Sequence, residues 1–207
     1  MKIYEKIKEV MGLIVDKPYL PIGLQEAKGP FLLHISDTPQ EIYPYILRLV
    51  KTLRPAYIVH TGDMVDDIKL EILPNQIDRY KIALNKFITG LESSTSAMIY
   101  YVMGNHDAYE VVKEISIKGI PLTKGHIMIE GIDFYVNHYH IEDSSKKDYY
   151  LYGHSFEPKA YKTDEYVGLN GLNVINVLDL TTKVIYALPY PFATNQFRKM
   201  KQRRIGL

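Results

Sequence analysis

Gly104-Asn105-His106-Asp107 sets an amide, an imidazole and a carboxylate on consecutive residues, directly after the apolar run Ala97-Met98-Ile99-Tyr100-Tyr101-Val102. Two more polar clusters follow strand-like runs in the same way: His60-Thr61-Gly62-Asp63, and Ser36-Asp37. Carboxylate, amide and imidazole groups gathered at one place are ligands for a divalent cation and, through it, partners for a phosphate. The second half of the chain adds His138, in Val136-Asn137-His138-Tyr139-His140, and His154, in Leu151-Tyr152-Gly153-His154. Each again ends an apolar run. Such a donor set suits Mn, Fe, Zn or Ni better than Ca or an isolated Mg.

Groups so far apart in sequence meet only if the elements between them return the chain to one edge. Strand-like runs at 31–36, 56–60 and 97–102 alternate with helical patterns at 40–53, 75–91 and 108–115. Pro44 is tolerable in the first of these helices because it falls near the first turn. Ile77, Tyr80, Ile82, Leu84, Phe87 and Ile88 are read as the apolar side of the second. This alternation favours parallel strands with right-handed crossovers, and ligands of such sheets gather beyond the carboxyl ends of the strands, where these polar clusters fall. The later chain reads as hairpins, 126–130 with 132–137 around Gly131 and 173–180 with 183–188 around Thr181-Thr182, and 149–153 reads as a short strand.

The outer segments carry less chemistry. Ile3, Ile7, Val10, Met11 and Ile14 recur at helical spacing, and Pro18, Pro21, Gly23, Gly29 and Pro30 then break the pattern. Two readings of that opening helix stand: it packs on its own domain, or it mediates a protein partner or self-association. The expected organisation is a helix and linker at 1–30, one domain at 31–192 and a basic tail at 193–207. Within the tail, Arg198-Lys199-Met200-Lys201-Gln202-Arg203-Arg204 reads as a solvated terminus, with a phosphate-binding arm as the alternative.

Composition limits the function classes. Twenty-five Lys and Arg stand against 24 Asp and Glu, so no global field marks a nucleic-acid or acidic-membrane binder. No apolar window has the length of a membrane span. With Cys at 0, neither a disulfide framework nor a thiolate ligand is available, and a cytoplasmic setting is expected. A chain of 207 residues, 46% hydrophobic, is long enough to bury one sizeable core.

Taken in order, Asp37-Thr38-Pro39, Gly62-Asp63-Met64-Val65, Gly104-Asn105-His106-Asp107, His138 and Gly153-His154-Ser155-Phe156 resemble the motifs of the calcineurin-like metallophosphoesterases, D-x-H, G-D-x-x, G-N-H-[D/E], a lone H and G-H-x-H. The resemblance spans roughly residues 31 to 190. It implies an α/β fold, a four-layer α/β/β/α sandwich of two mixed sheets flanked by helices. It also implies a metal-dependent phosphoesterase acting on a phosphomonoester or phosphodiester. Asp63 would bridge two ions, Asn105, His138 and His154 would complete the second position, and Asp37 would belong to the first. Two positions depart from the pattern: the first position's imidazoles are replaced by Pro39 and Phe156, whose side chains offer no lone pair. The expectation is therefore one tight and one weak divalent ion, with His140 as a compensating ligand if the chain stays extended past His138. The alternative is a non-catalytic binding or assembly module on the same fold.

Hydrolysing a phosphate ester needs hydroxide at neutral pH, charge neutralisation on the phosphoryl oxygens and a proton for the leaving oxygen. His106, its tautomer fixed by the carboxylate of Asp107, is the expected proton donor. His34 and His60 lie within strand runs and read as hydrogen-bonded core histidines, His126 as a surface residue, and Asp66 as a loop brace rather than a ligand.

Overall fold

The computed structural model describes residue 12, residues 18–142 and residues 144–198. The amphipathic pattern at 3–14 lies outside the described residues. None of the described helices is long and apolar enough to cross a membrane.

The first three strands, β1 (Phe31–Ile35), β2 (Tyr57–His60) and β3 (Met98–Val102), form as the apolar runs require, and they pair in parallel. Helices Tyr43–Leu53, Ile77–Ser94 and Tyr109–Ile115 connect and follow them. Pro44 sits at the start of the first helix, where its missing N–H has no partner to lose. A short parallel strand, β4 (Ile120–Leu122), extends the sheet beside β3. Its Pro121 hid it from the sequence reading, because proline argues against a strand except at an edge. On the other side β1 pairs antiparallel with β10 (Ile175–Asp179), which pairs with β11 (Ile185–Leu188), giving the order β11-β10-β1-β2-β3-β4.

The second sheet is built from β5 (Lys124–Ile129), β6 (Ile132–Asn137), β7 (Tyr149–Tyr152), β8 (Tyr161–Lys162) and β9 (Val167–Asn170), in the order β5-β6-β7-β9-β8. β5 and β6 form the expected hairpin, with Glu130 and Gly131 both at positive φ, the backbone that a two-residue turn between twisted strands demands. The sheet is not hairpins throughout, however. β6, β7 and β9 run parallel to one another, and β8 and β9 were not legible as strands because their runs are short and interrupted by Gly168 and charged residues.

Side-chain alternation assigns each face. In β1, Leu33 and Ile35 point to the helix layer while Leu32 points to the other sheet, and Ile58 and Val59 in β2 divide in the same way. Both faces of these strands are covered, which is why they read as continuous apolar runs. The inner layer between the sheets contains Leu32, Val59, Val102, Phe134, Val136 and Leu151. The chain thus forms two mixed sheets with flanking helices, and among the described residues the buried apolar side chains of the helices all join the cluster on the first sheet's outer face. The outer face of the second sheet instead carries Tyr135, Tyr150 and Tyr152.

Three sequence expectations change. Ile82 is 74% exposed; the buried stripe of its helix runs through Tyr80, Ala83, Leu84, Phe87, Ile88 and Leu91, and Ile82 falls off that 3–4 spacing. The Pro- and Gly-rich stretch before β1 includes a five-residue helix, Ile22–Glu26, which buries Leu24. Arg198 is not solvated. It is 1% exposed after the helix Thr194–Phe197, where its guanidinium donates to the carbonyls of Asp37 (2.7 Å), Leu172 (2.9 Å) and Ser36 (3.3 Å) and lies over the Tyr190 ring.

That fork fastens the end of the described chain onto the loop that follows β1. Replacing Arg198→Ala removes the donor of three buried carbonyls, and an expected loss of about 3 kcal/mol or more should appear in urea unfolding. Arg198→Lys should recover little, because one ammonium cannot span acceptors that a rigid planar fork reaches together.

Candidate metal and phosphate site

Each ligand-type side chain sits just past a strand end. Asp37 follows β1, Asp63 follows β2, Asn105 and His106 follow β3, His138 follows β6 and His154 follows β7. β1, β2 and β3 are parallel, as are β6 and β7, so the carboxyl ends within each sheet lie at one edge. There the two edges meet.

The turns that aim these groups use backbone few residues adopt. Asp37 (φ 53°), Asp63 (φ 55°) and His154 (φ 63°) all occupy the left-handed region, which Asp, Asn and His tolerate better than most residues. Three such residues at one site are strain held by the surrounding hydrogen bonds. Asp37 N–H donates to the Gly62 carbonyl (2.9 Å) and Thr38 N–H to the Asp63 carbonyl (3.0 Å), tying the first two loops. Gly104 and Gly153 are required by close approach, since a Cβ on Gly104 would fall on Asp63 Oδ1 and one on Gly153 would fall on Ser36 Oγ and Asp37 Oδ2.

The two core histidines brace these loops as expected. His34 is fully buried with Nε2 2.9 Å from Thr61 Oγ1. His60 accepts from Gly62 N–H at Nδ1 (3.2 Å), so its Nε2 carries the proton and donates to Thr38 Oγ1 (2.9 Å). Burial lowers both imidazoles to a pKa of about 3, which keeps them neutral.

Three ligand atoms converge on His138. Its Nδ1–H donates to the Thr61 carbonyl (2.7 Å), which turns Nε2 inward. Around that Nε2 lie His154 Nδ1 at 3.1 Å, Asn105 Oδ1 at 3.2 Å and Asp63 Oδ2 at 3.5 Å. Two imidazole nitrogens, an amide oxygen and a carboxylate oxygen so disposed fit a borderline divalent cation. The electrostatics agree. Burial lowers the pKa of His138, but the Asp63 carboxylate overrides it and, with Asp37 and the Thr61 carbonyl, raises it to about 10; Asp63 is opposed by its own burial yet held at about 2 by His138 and His106. The cage favours a cation at its centre. His154 is lowered by burial and by His138.

Asp37, Asp63 and Asp66 form a second group, one oxygen of each lying within 4.8 Å of the others. Asp37 Oδ2 accepts from Ser36 Oγ (2.5 Å) and His154 N–H (3.2 Å). The pKa of Asp66 is raised to about 8, first by burial and then by the charge of Asp37. Asp37, Asp63, Asp66 and His154 line one cavity of about 460 Å³ together with Lys69, Glu71, Ile72, Asn105, His106 and Phe156, and His138 lies buried behind them. Phe156 is 40% exposed at its rim, whereas Pro39 is buried and begins the 3-10 turn Gln40–Ile42.

Two assignments from sequence are corrected. Asp107 does not orient His106. Its Oδ2 accepts from Asp63 N–H (2.7 Å) and Gly104 N–H (2.8 Å), and its Oδ1 accepts from Met64 N–H and Tyr80 Oη–H (both 3.0 Å), so it knots the loops after β2 and β3. Desolvation and then the Asp63 charge raise its pKa to about 6, against the pull of those N–H donors. His106 turns the other way: Glu71 N–H donates to its Nδ1 (3.3 Å), Asn105 Nδ2 lies 3.1 Å from its Nε2, and burial lowers its pKa. Glu71 also accepts from Asn105 Nδ2 (2.7 Å), orienting the amide so that its oxygen faces His138. Nothing in the irregular stretch between Asp67 and Pro74 signalled these roles, because it has no periodicity to read.

His140, expected on the same side as His138, is the other correction. β6 ends at Asn137, the chain bends, and the His140 ring stacks on Tyr150 with its Nε2 2.9 Å from Tyr161 Oη. It belongs to the tyrosines of the outer face. His126 is exposed and bonded to Asp133 and Ser145.

If Asp107 is a knot rather than a proton-relay partner, Asp107→Asn puts an amide nitrogen against backbone donors. A loss of about 2 to 4 kcal/mol in unfolding free energy is expected, together with weaker metal retention. A stable variant altered only in its pH–rate profile would restore the relay.

The sequence model of the calcineurin-like phosphoesterase family matches residues 32–195. Among solved structures, an archaeal phosphodiesterase is 19% identical and superposes with a TM-score of 0.58, covering 77% of this chain and 99% of its own. A phosphoesterase from E. coli is 18% identical with a TM-score of 0.51, covering 77% and 99%. At these identities the likeness is one of fold. No curated protein matches the chain in sequence.

Proposed function

The chain belongs to the calcineurin-like phosphoesterase family and is thereby a metal-dependent hydrolase of phosphate esters, and from that premise we propose how its own crevice works. Asp63, Asn105, His138 and His154 would hold one ion tightly, Asp37 with the shared Asp63 would hold a second more weakly, and the substrate would be a phosphomonoester or phosphodiester. The observation that supports this reading is the convergence of three ligand atoms on His138 Nε2, with its tautomer set by the Thr61 carbonyl. Divalent ions in such a site supply charge neutralisation of the phosphoryl oxygens and acidification of water.

The chain's residues do the rest. Lys69 lines the cavity, ion-paired to Asp66, and is the side chain we assign to the charge of the phosphoryl group. His106, with Nδ1 occupied by Glu71 N–H, is assigned to protonate the leaving oxygen from Nε2. Its depressed pKa would make it a willing donor once protonated and a neutral hydrogen-bond donor otherwise. Ile72 and Phe156 add apolar surface beside the phosphate position, which suits an ester with a hydrophobic group. Mixed nitrogen and oxygen donors in the tight position favour Mn, Fe, Zn or Ni, with manganese the first to try. A cytoplasmic setting is part of the same proposal.

After extensive dialysis the protein should retain about one equivalent of metal by mass spectrometry, and added Mn should support turnover of bis-p-nitrophenyl phosphate or p-nitrophenyl phosphate. His106→Ala should lower kcat by about a hundredfold while leaving the retained ion in place. Loss of that ion would move His106 into the ligand set. Retention of metal without turnover of either ester would leave the fold as a binding module.

A further inference from the structure

Asp66 is buried without a reason supplied by the fold. It is 1% exposed, and its Oδ2 is, among the described residues, the buried side-chain oxygen left without a hydrogen-bond partner. A carboxylate oxygen removed from water and given no donor is among the more costly arrangements in a protein, and native structures keep it where something else occupies the lone pair. Its neighbour shows what bracing looks like. Asp67 accepts Gln40 N–H (3.1 Å) and Gln40 Nε2–H (2.7 Å), one on each oxygen. Among the described residues, the Asp66 side chain has the Lys69 ammonium alone, on Oδ1.

Its surroundings say what the carboxylate faces. Asp66 lines the same cavity as Asp37 and Asp63, and the three present oxygens within 4.8 Å of one another. Each of the three is at most 3% exposed, so water screens their mutual repulsion poorly. One lysine offsets only part of that charge. Asp66 N–H donates to the Thr38 carbonyl (3.2 Å), which fixes its backbone to the loop that carries Asp37. The carboxylate is thus pre-positioned rather than free to swing away.

We propose that Asp66 is a third carboxylate ligand of the first metal position, replacing from the loop after β2 the imidazoles that Pro39 and Phe156 do not provide. The position is then converted, from mixed nitrogen and oxygen donors to oxygen alone, rather than lost. Oxygen-only sites select hard ions, so it takes Mn or Mg in preference to Zn, while the His138 and His154 position accepts either Mn or Zn. Lys69 competes for the same carboxylate and keeps the position weak. The inference rests on the reading of the crevice as a two-position metal centre.

The test uses the full chain, stripped of metal and titrated with Mn or Zn by calorimetry and by electron paramagnetic resonance of free Mn, with metal content checked after dialysis. Wild type should bind two Mn, one tight and one weak, but a single Zn. Asp66→Asn, of equal size, should keep the tight Mn and weaken the other by about tenfold or more. Lys69→Met should strengthen the weak Mn site severalfold, and this arm decides the matter should Asp66→Asn fail to fold. Unchanged weak-site affinity in either variant would overturn the assignment and make Asp66 a brace for Lys69. Wild type that retains no tight ion would instead overturn the underlying reading of the crevice, a failure readable without either variant.

Discussion

The hydrogen bond from His138 Nδ1 to the Thr61 carbonyl joins the end of a strand in one sheet to the end of a strand in the other, and it presents Nε2 to the crevice. Everything placed around that nitrogen depends on it. Were the two sheets to slide, His154 and His138 would move with the second sheet while Asp37, Asp63 and Asn105 stayed with the first, and the donor set would come apart. The apolar layer between the sheets therefore has a functional role: Leu32, Val59, Phe134, Val136 and Leu151 hold the register of two ligand half-sets that share no covalent connection nearby.

Below this bond lies a tier of polar side chains that bond to backbone and to one another rather than to the ligand atoms, yet determine where those atoms stand. His34, His60, Thr38 and Thr61 connect the loops after β1 and β2, Asp107 connects those after β2 and β3, and Arg198 holds the carbonyls of Ser36 and Asp37 from the far end of the described chain. Such a tier is needed because Asp37, Asp63 and His154 are held at positive φ, where isolated residues would relax. The neutrality of the buried His34 and His60 follows from the same enclosure, since a charge there would face neither water nor a carboxylate partner.

The sequence by itself determined the first sheet's parallel strands, the crossover helices, the β5–β6 hairpin and the strand-end placement of Asp37, Asp63, Asn105, His138 and His154. It could do so because those features are local: a run of apolar residues, its period and the polar group that ends it are all contained within a few adjacent positions. The short strands β4, β8 and β9 escaped it, because three residues or fewer, or a strand holding Pro or Gly, give no period and are formed by the neighbours they pair with. Tertiary structure alone decided which way neighbouring side chains turn. His106 and Asp107 are adjacent in sequence yet face different partners, His140 leaves the side of His138 when the strand ends, and Arg198 goes inward from a basic stretch. The orphaned oxygen of Asp66 likewise has no signature in sequence, for adjacent Asp66 and Asp67 are the same residue type, and only the packed loops give one of them a partner on each oxygen and leave the other facing Asp37 and Asp63. Composition and period report on the element a residue belongs to, whereas a donor's partner is settled by the approach of chain segments far apart in sequence.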